Sequence, residues 1–87
     1  PLDLMDHQEK VSVRLSDVKI GKTVTISRML NEEKLVQYFK RANLNVQDQI
    51  IITGSDKKLD LLFIENKTTK ENVELSQTIG HYLFVVE

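Results

Sequence analysis

The rhythm of apolar and polar positions changes several times along the chain. Val11, Val13 and Leu15 alternate with Ser12 and Arg14, the period of two that marks a half-buried strand. A short turn follows, Ser16-Asp17-Val18-Lys19-Ile20-Gly21, where Gly21 is suited to a positive φ. Val24 and Ile26, on either side of Thr25, continue as a second strand. The period then lengthens. Leu35, Val36, Phe39 and Ala42 recur at helical spacing, with Lys34, Gln37, Lys40 and Arg41 on the opposite side, which predicts one amphipathic helix from Glu32 to Ala42. Asn31 is placed to cap it, Glu32 and Glu33 put negative charge at its positive end, and Lys40 and Arg41 put positive charge at the other. Asn43 is one of the few residues suited to a left-handed C-terminal cap.

Beyond Leu44 the period returns to two. Gln49 to Thr53 and Lys58 to Ile64 read as a hairpin joined by the polar turn Gly54-Ser55-Asp56-Lys57. A second polar stretch, Glu65 to Glu71, leads to a brief alternation at Val73 and Leu75. Ser76 is placed to cap a single helical turn reaching Gly80, and Tyr82-Leu83-Phe84-Val85-Val86 reads as a closing strand. Five or six short strands with one inserted helix lack the crossover helices of a parallel α/β sheet. The predicted fold is therefore mainly β with one helix, a small, partly open β-barrel that limits its exposed edges.

Composition narrows the function more than the fold. At 87 residues the chain suits one domain, with residues 1–10 as a polar linker or N-terminal arm and residues 11–87 as the barrel. It has no Cys, so disulfides, thiolate metal sites and Cys nucleophiles are excluded, and a cytoplasmic setting is expected. Twelve Lys and Arg against thirteen Asp and Glu leave no global field to attract phosphate backbones, so no direct nucleic-acid binding is expected. Apolar runs such as Ile50 to Ile52 and Leu83 to Val86 are strand-sized, so no membrane insertion is expected, and Pro1 to Asp6 lack the basic-then-apolar layout expected of a signal peptide. A first residue that is Pro1 and not Met fits a processed chain or a piece of a longer one.

Candidate chemistry is sparse. Ser76 and His81 form a close Ser and His pair in sequence, but nothing in their spacing supplies a third group to orient a base, so Ser76 reads as a cap and no catalytic residue is assigned. His7 and His81 fall short of the three or four ligands of a transition-metal site, and His81 reads as a side chain at a strand start. Glu32 and Glu33 could offer oxygens to Mn²⁺ or Fe²⁺, although dipole-compensating acids are common in a first helical turn. Asn66-Lys67-Thr68 has the form of a glycosylation acceptor but reads as a polar loop.

The ordered series Leu15-Ser16-Asp17, Gly21, the helix bearing Leu35-Val36-Gln37-Tyr38-Phe39, and Leu75-Ser76 through Gly80 to Leu83-Phe84-Val85 resembles the FeoA-like, Src-homology-3-like domain. The resemblance covers about Val11 to Glu87, and the tail from Gly80 to Glu87 is similar to the end of the C-terminal domain of diphtheria-toxin-repressor-family regulators. It implies a non-catalytic regulatory domain of an iron- or manganese-dependent bacterial repressor, in contact with other domains of its own chain or with a second subunit. The alternative it implies is a stand-alone FeoA-type accessory that docks on the cytosolic domain of a ferrous-iron transporter. In some such repressors the start of this helix lends oxygens to a metal site on the neighbouring domain. Glu32 and Glu33 fall near that position, while Leu35 stands where an amide ligand is expected. The Pro-Gly pair usual after the helix is replaced by Val46-Gln47, so another turn geometry is expected there.

Overall fold

The computed structural model describes residues 11–87, so the predicted arm at residues 1–10, with His7, lies outside the described residues. In chain order the elements are β1 (Val13–Arg14), a 3₁₀ turn (Leu15–Asp17), β2 (Thr23–Met29), α1 (Glu33–Arg41), β3 (Gln49–Asp56), β4 (Leu61–Asn66), β5 (Glu71–Ser76), α2 (Gln77–Gly80) and β6 (Leu83–Val86). The strands form one antiparallel sheet in the order β1-β6-β2-β3-β4-β5. β1 and β5 are its two edges and do not pair with each other, which gives the partly open barrel.

The alternation holds wherever a strand has one face inward. Val24 and Ile26 of β2, Ile50 and Ile52 of β3, Leu62 and Ile64 of β4, and Leu83 and Val85 of β6 are all buried. Leu35 and Phe39 of α1 join the same core, and burying a Phe or Leu side chain contributes about 1.5–3 kcal/mol. The C-terminus of α1 closes as a Schellman motif. Asn43 takes a φ of 56°, Leu44 N–H donates to Phe39 O and Asn43 N–H donates to Lys40 O. Leu44, 2 % exposed, tucks into the core just past this cap.

Four local expectations are corrected. The cap of α1 is Glu32 and not Asn31: Glu32 is extended and its carboxylate accepts from Lys34 N–H, so the helix begins at Glu33 and ends at Arg41. Of the first predicted strand only Val13–Arg14 pairs. The chain then tightens into the 3₁₀ turn, which buries Leu15 and leaves Val11 and Val13 exposed. The β3–β4 turn lies at Lys57–Asp60 and not at Gly54–Lys57, because a bulge between Ile52 and Gly54 resets the register. Ser55 and Asp56 then continue the ladder opposite Leu62 and Leu61. The turn itself is closed by Asp60 N–H donating to Lys57 O, with Asp60 at φ 56°.

The fourth correction concerns Val46-Gln47. Asp48 N–H donates to Asn45 O and Gln47 has a φ of 80°, the left-handed conformation that a type II turn needs at its third residue. Gln47 thus occupies the geometry that Pro-Gly favours. It is held there by β2, since Gln47 N–H donates to Ile26 O and Ile26 N–H donates to Asp48 O.

Candidate functional site

The two acids proposed for metal contact lie at the exposed start of α1. Glu32 Oε1 lies 3.0 Å from Lys34 N and Oε2 lies 3.3 Å from it, so this carboxylate already serves as the helix cap. Glu33 is the first helical residue and is exposed. Hard divalent cations want several oxygen ligands, and no group of three or more His, Cys, Asp or Glu side chains converges among the described residues.

Ser76 and His81, five positions apart in sequence, are served by different partners. Ser76 caps α2 by accepting from Ile79 N–H, while its hydroxyl donates to Asp60 Oδ2 at 2.8 Å. Thr78 Oγ1 donates to the same oxygen at 2.8 Å, and Gln77 N–H donates to Asp60 O. The Ser76 hydroxyl first, then that of Thr78, holds the Asp60 carboxyl below its ordinary pKa, because both donate to the charged form. His81 instead meets Ser16 on the 3₁₀ turn, with 2.7 Å between Nδ1 and Oγ. No hydrogen bond joins His81 to Asp60 among the described residues, so no nucleophile, base and orienting acid are strung together. The contacts fasten α2 to the β3–β4 turn on one side and to the 3₁₀ turn on the other. Gly80 makes the second contact close: a Cβ there would lie 3.4 Å from Leu62 Cδ1 and 3.6 Å from Ser16 N.

A polar node that the sequence did not reveal sits at the end of β4. Asn66 is fully buried, and its Nδ2 donates to Asp48 Oδ2 at 2.9 Å and to Asn43 O at 3.4 Å. Its Oδ1 accepts from Thr68 and Thr69 N–H, and Asp48 Oδ2 also accepts from Asn45 N–H. One amide thus ties the cap of α1, the type II turn and the β4–β5 turn together. The predicted loop residue is structural, and its burial excludes a modification acceptor.

No helix among the described residues is long and apolar enough to cross a membrane. No protein-family model and no curated protein matches the chain in sequence. Solved structures do match in fold. A manganese-dependent transcriptional repressor superposes at a TM-score of 0.80 and 14 % identity, over 92 % of this chain and 44 % of that one. An iron uptake regulatory protein, FeoA, superposes at 0.73 and 15 % identity, over 86 % of this chain and 95 % of that one. A FeoA-like protein from Clostridium acetobutylicum superposes at 0.76 and 17 % identity, over 90 % and 87 %. The chain spans less than half the length of the repressor and nearly all of the FeoA proteins. With its six antiparallel strands, single main helix and open edges, the chain has the FeoA-like, Src-homology-3-like fold found in FeoA proteins and in metal-dependent repressors.

Proposed function

We propose that this chain is a non-catalytic, cytoplasmic regulatory domain of an iron- or manganese-dependent bacterial transcriptional repressor. It acts by contact with other domains of its own chain or with a second subunit. The observation that supports this most is the superposition over 92 % of the chain on a 44 % share of a manganese-dependent repressor. The chemistry of the chain agrees with a docking role. Balanced charge gives it no broad basic footprint for DNA, and its exposed Glu32 and Glu33 could reach a metal only as oxygen donors to a site completed elsewhere. The test is to measure operator binding by the natural-length gene product against Mn²⁺ and Fe²⁺, with and without residues 11–87. A metal-dependent operator complex whose midpoint moves on removal of these residues is the expected result.

A second reading has its own support in the 95 % coverage of a FeoA protein. On that reading the chain is a stand-alone accessory that docks on the cytosolic domain of a ferrous-iron transporter. A natural-length product that binds no operator at any metal concentration, but binds such a domain, would decide for it.

A further inference from the structure

The outer face of β6 carries a row of side chains that the fold does not need. Phe84 lies opposite Arg14 of β1 on one side and opposite Arg28 of β2 on the other, in direct cross-strand register. The bulge between Ile26 and Arg28 makes this possible. Strict alternation from the buried Ile26 would send Arg28 inward, and the extra residue, Ser27, turns it out beside Phe84. Ser27 fixes the bulge by donating to Phe84 O at 3.1 Å. The Arg28 guanidinium then stands 4.3 Å from the Phe84 ring centroid and that of Arg14 stands 5.9 Å from it. Two cations share one ring, and neither makes a salt bridge among the described residues, where Lys22 to Glu87 is the one ion pair.

The same face continues as an apolar strip. Tyr82, just before β6 and two residues from Phe84, is 40 % exposed, and Leu30, whose N–H donates to Tyr82 O, is 42 % exposed. Tyr, Phe and Arg together, with an aliphatic neighbour and no Lys or Glu between them, are the composition of an interface centre rather than of ordinary surface. A guanidinium resting over an aromatic ring keeps N–H donors free for a carboxylate and loses less side-chain freedom on binding one.

The geometry points to the Arg14–Phe84–Arg28 row, extended by Tyr82 and Leu30, as a docking surface for an acidic, apolar segment of a protein partner, with carboxylates on the two guanidiniums and an aliphatic side chain on Tyr82 and Leu30. Charge complementarity selects this occupant. Two arginines on a chain of net charge −1 are too few for a nucleic-acid backbone or an anionic membrane, which call on wider basic patches, but they match one or two carboxylates bidentately. The inference rests on the docking reading above and supplies its surface.

The test is an NMR titration of the 87-residue protein that follows the Arg14 and Arg28 Nε–Hε signals. The probes are a peptide of alternating Asp and Leu, its Asn counterpart, inorganic phosphate and a short single-stranded RNA. The Asp peptide is expected to move both arginine signals and the Tyr82 and Leu30 amides, and to bind at least about tenfold more tightly than the Asn peptide. The R14Q/R28Q variant, whose thermal unfolding should match the parent, is expected to lose that advantage. Equal binding of the two peptides, or undiminished binding by R14Q/R28Q, would overturn the assignment, as would phosphate or RNA moving the signals at lower concentration. So would movement of the two arginine signals, without peptide, on changing Asp3, Asp6 and Glu9 to Asn, Asn and Gln, since the chain's own acids would then be the occupant. The two ideas fail separately: operator binding untouched by removal of residues 11–87 sinks the repressor reading, while the peptide result stands or falls alone.

Discussion

Replacing Gln47 by Gly should stabilise this protein, and the size of the gain follows from one backbone angle. Gln47 has a φ of 80° at the third position of the Asn45–Asp48 turn, and its side chain makes none of the hydrogen bonds found there. A residue with a Cβ gives up about 1–2 kcal/mol in the left-handed region, and Gly gives up about 0.5–1 kcal/mol of extra chain entropy on folding. The difference favours Q47G by about 0.5–1 kcal/mol, or roughly 3–6 °C in Tm for a domain of this size. The bond from the residue 47 N–H to Ile26 O survives the change, so the turn stays pinned to β2. Val46→Pro should add a further gain of about 0.4–1 kcal/mol, because the Val46 N–H donates to no backbone group and Pro favours the second position of this turn. Thermal unfolding followed by circular dichroism, with Q47A as the control that keeps the Cβ, measures the effect. A Q47G protein no more stable than Q47A would mean that side-chain loss, and not backbone relief, explains any change.

Other expectations follow from the polar contacts. Asn66→Ala should cost about 2–4 kcal/mol in urea unfolding, because it strips a donor from Asp48 and leaves the Thr68 and Thr69 amides without their acceptor; a loss under 1 kcal/mol, roughly that of an ordinary surface change, would show the node to be dispensable. The lowered pKa of Asp60 means that its charge-dependent stability is complete above the unfolded value near pH 4 and is lost as pH falls through that value towards the folded one. Asp60→Asn should therefore flatten the acid side of a stability profile measured by urea unfolding at stepped pH, and parallel profiles for the two proteins would refute the assignment. Titration of the isolated chain with Mn²⁺ or Fe²⁺ should give the same weak affinity for the parent and for the Glu32→Ala, Glu33→Ala variant, and tight binding abolished by that variant would show a complete site at the helix start.

Much of the fold is legible in the sequence because burial has a period. Leu35 and Phe39 at helical spacing, and Val24 with Ile26 at strand spacing, reach the core as their positions dictate. Asn43 at the helix end and Ser76 before α2 do what their short polar side chains suit them for. The departures occur where a contact distant in sequence overrides a local preference. Gly54-Ser55-Asp56-Lys57 has turn composition, yet a bulge carries the β3 ladder through Ser55 and Asp56. Asn66 reads as loop because nothing local announces that its amide will meet Asp48, 18 residues earlier. His81 finds Ser16, 65 residues away, and not the neighbouring Ser76. The pairing of Arg14 and Arg28 across Phe84 depends on a one-residue register shift, which alternation alone cannot locate.

If the barrel is the regulatory domain of a metal-dependent repressor, its removal should change how metal controls operator binding. Operator binding by the natural-length gene product, measured against Mn²⁺ and Fe²⁺ before and after removal of residues 11–87, tests it most directly. The remaining protein should still bind the operator, with the metal concentration for half-maximal binding moved. An unchanged midpoint, or a product that binds no operator at any metal concentration, would contradict it.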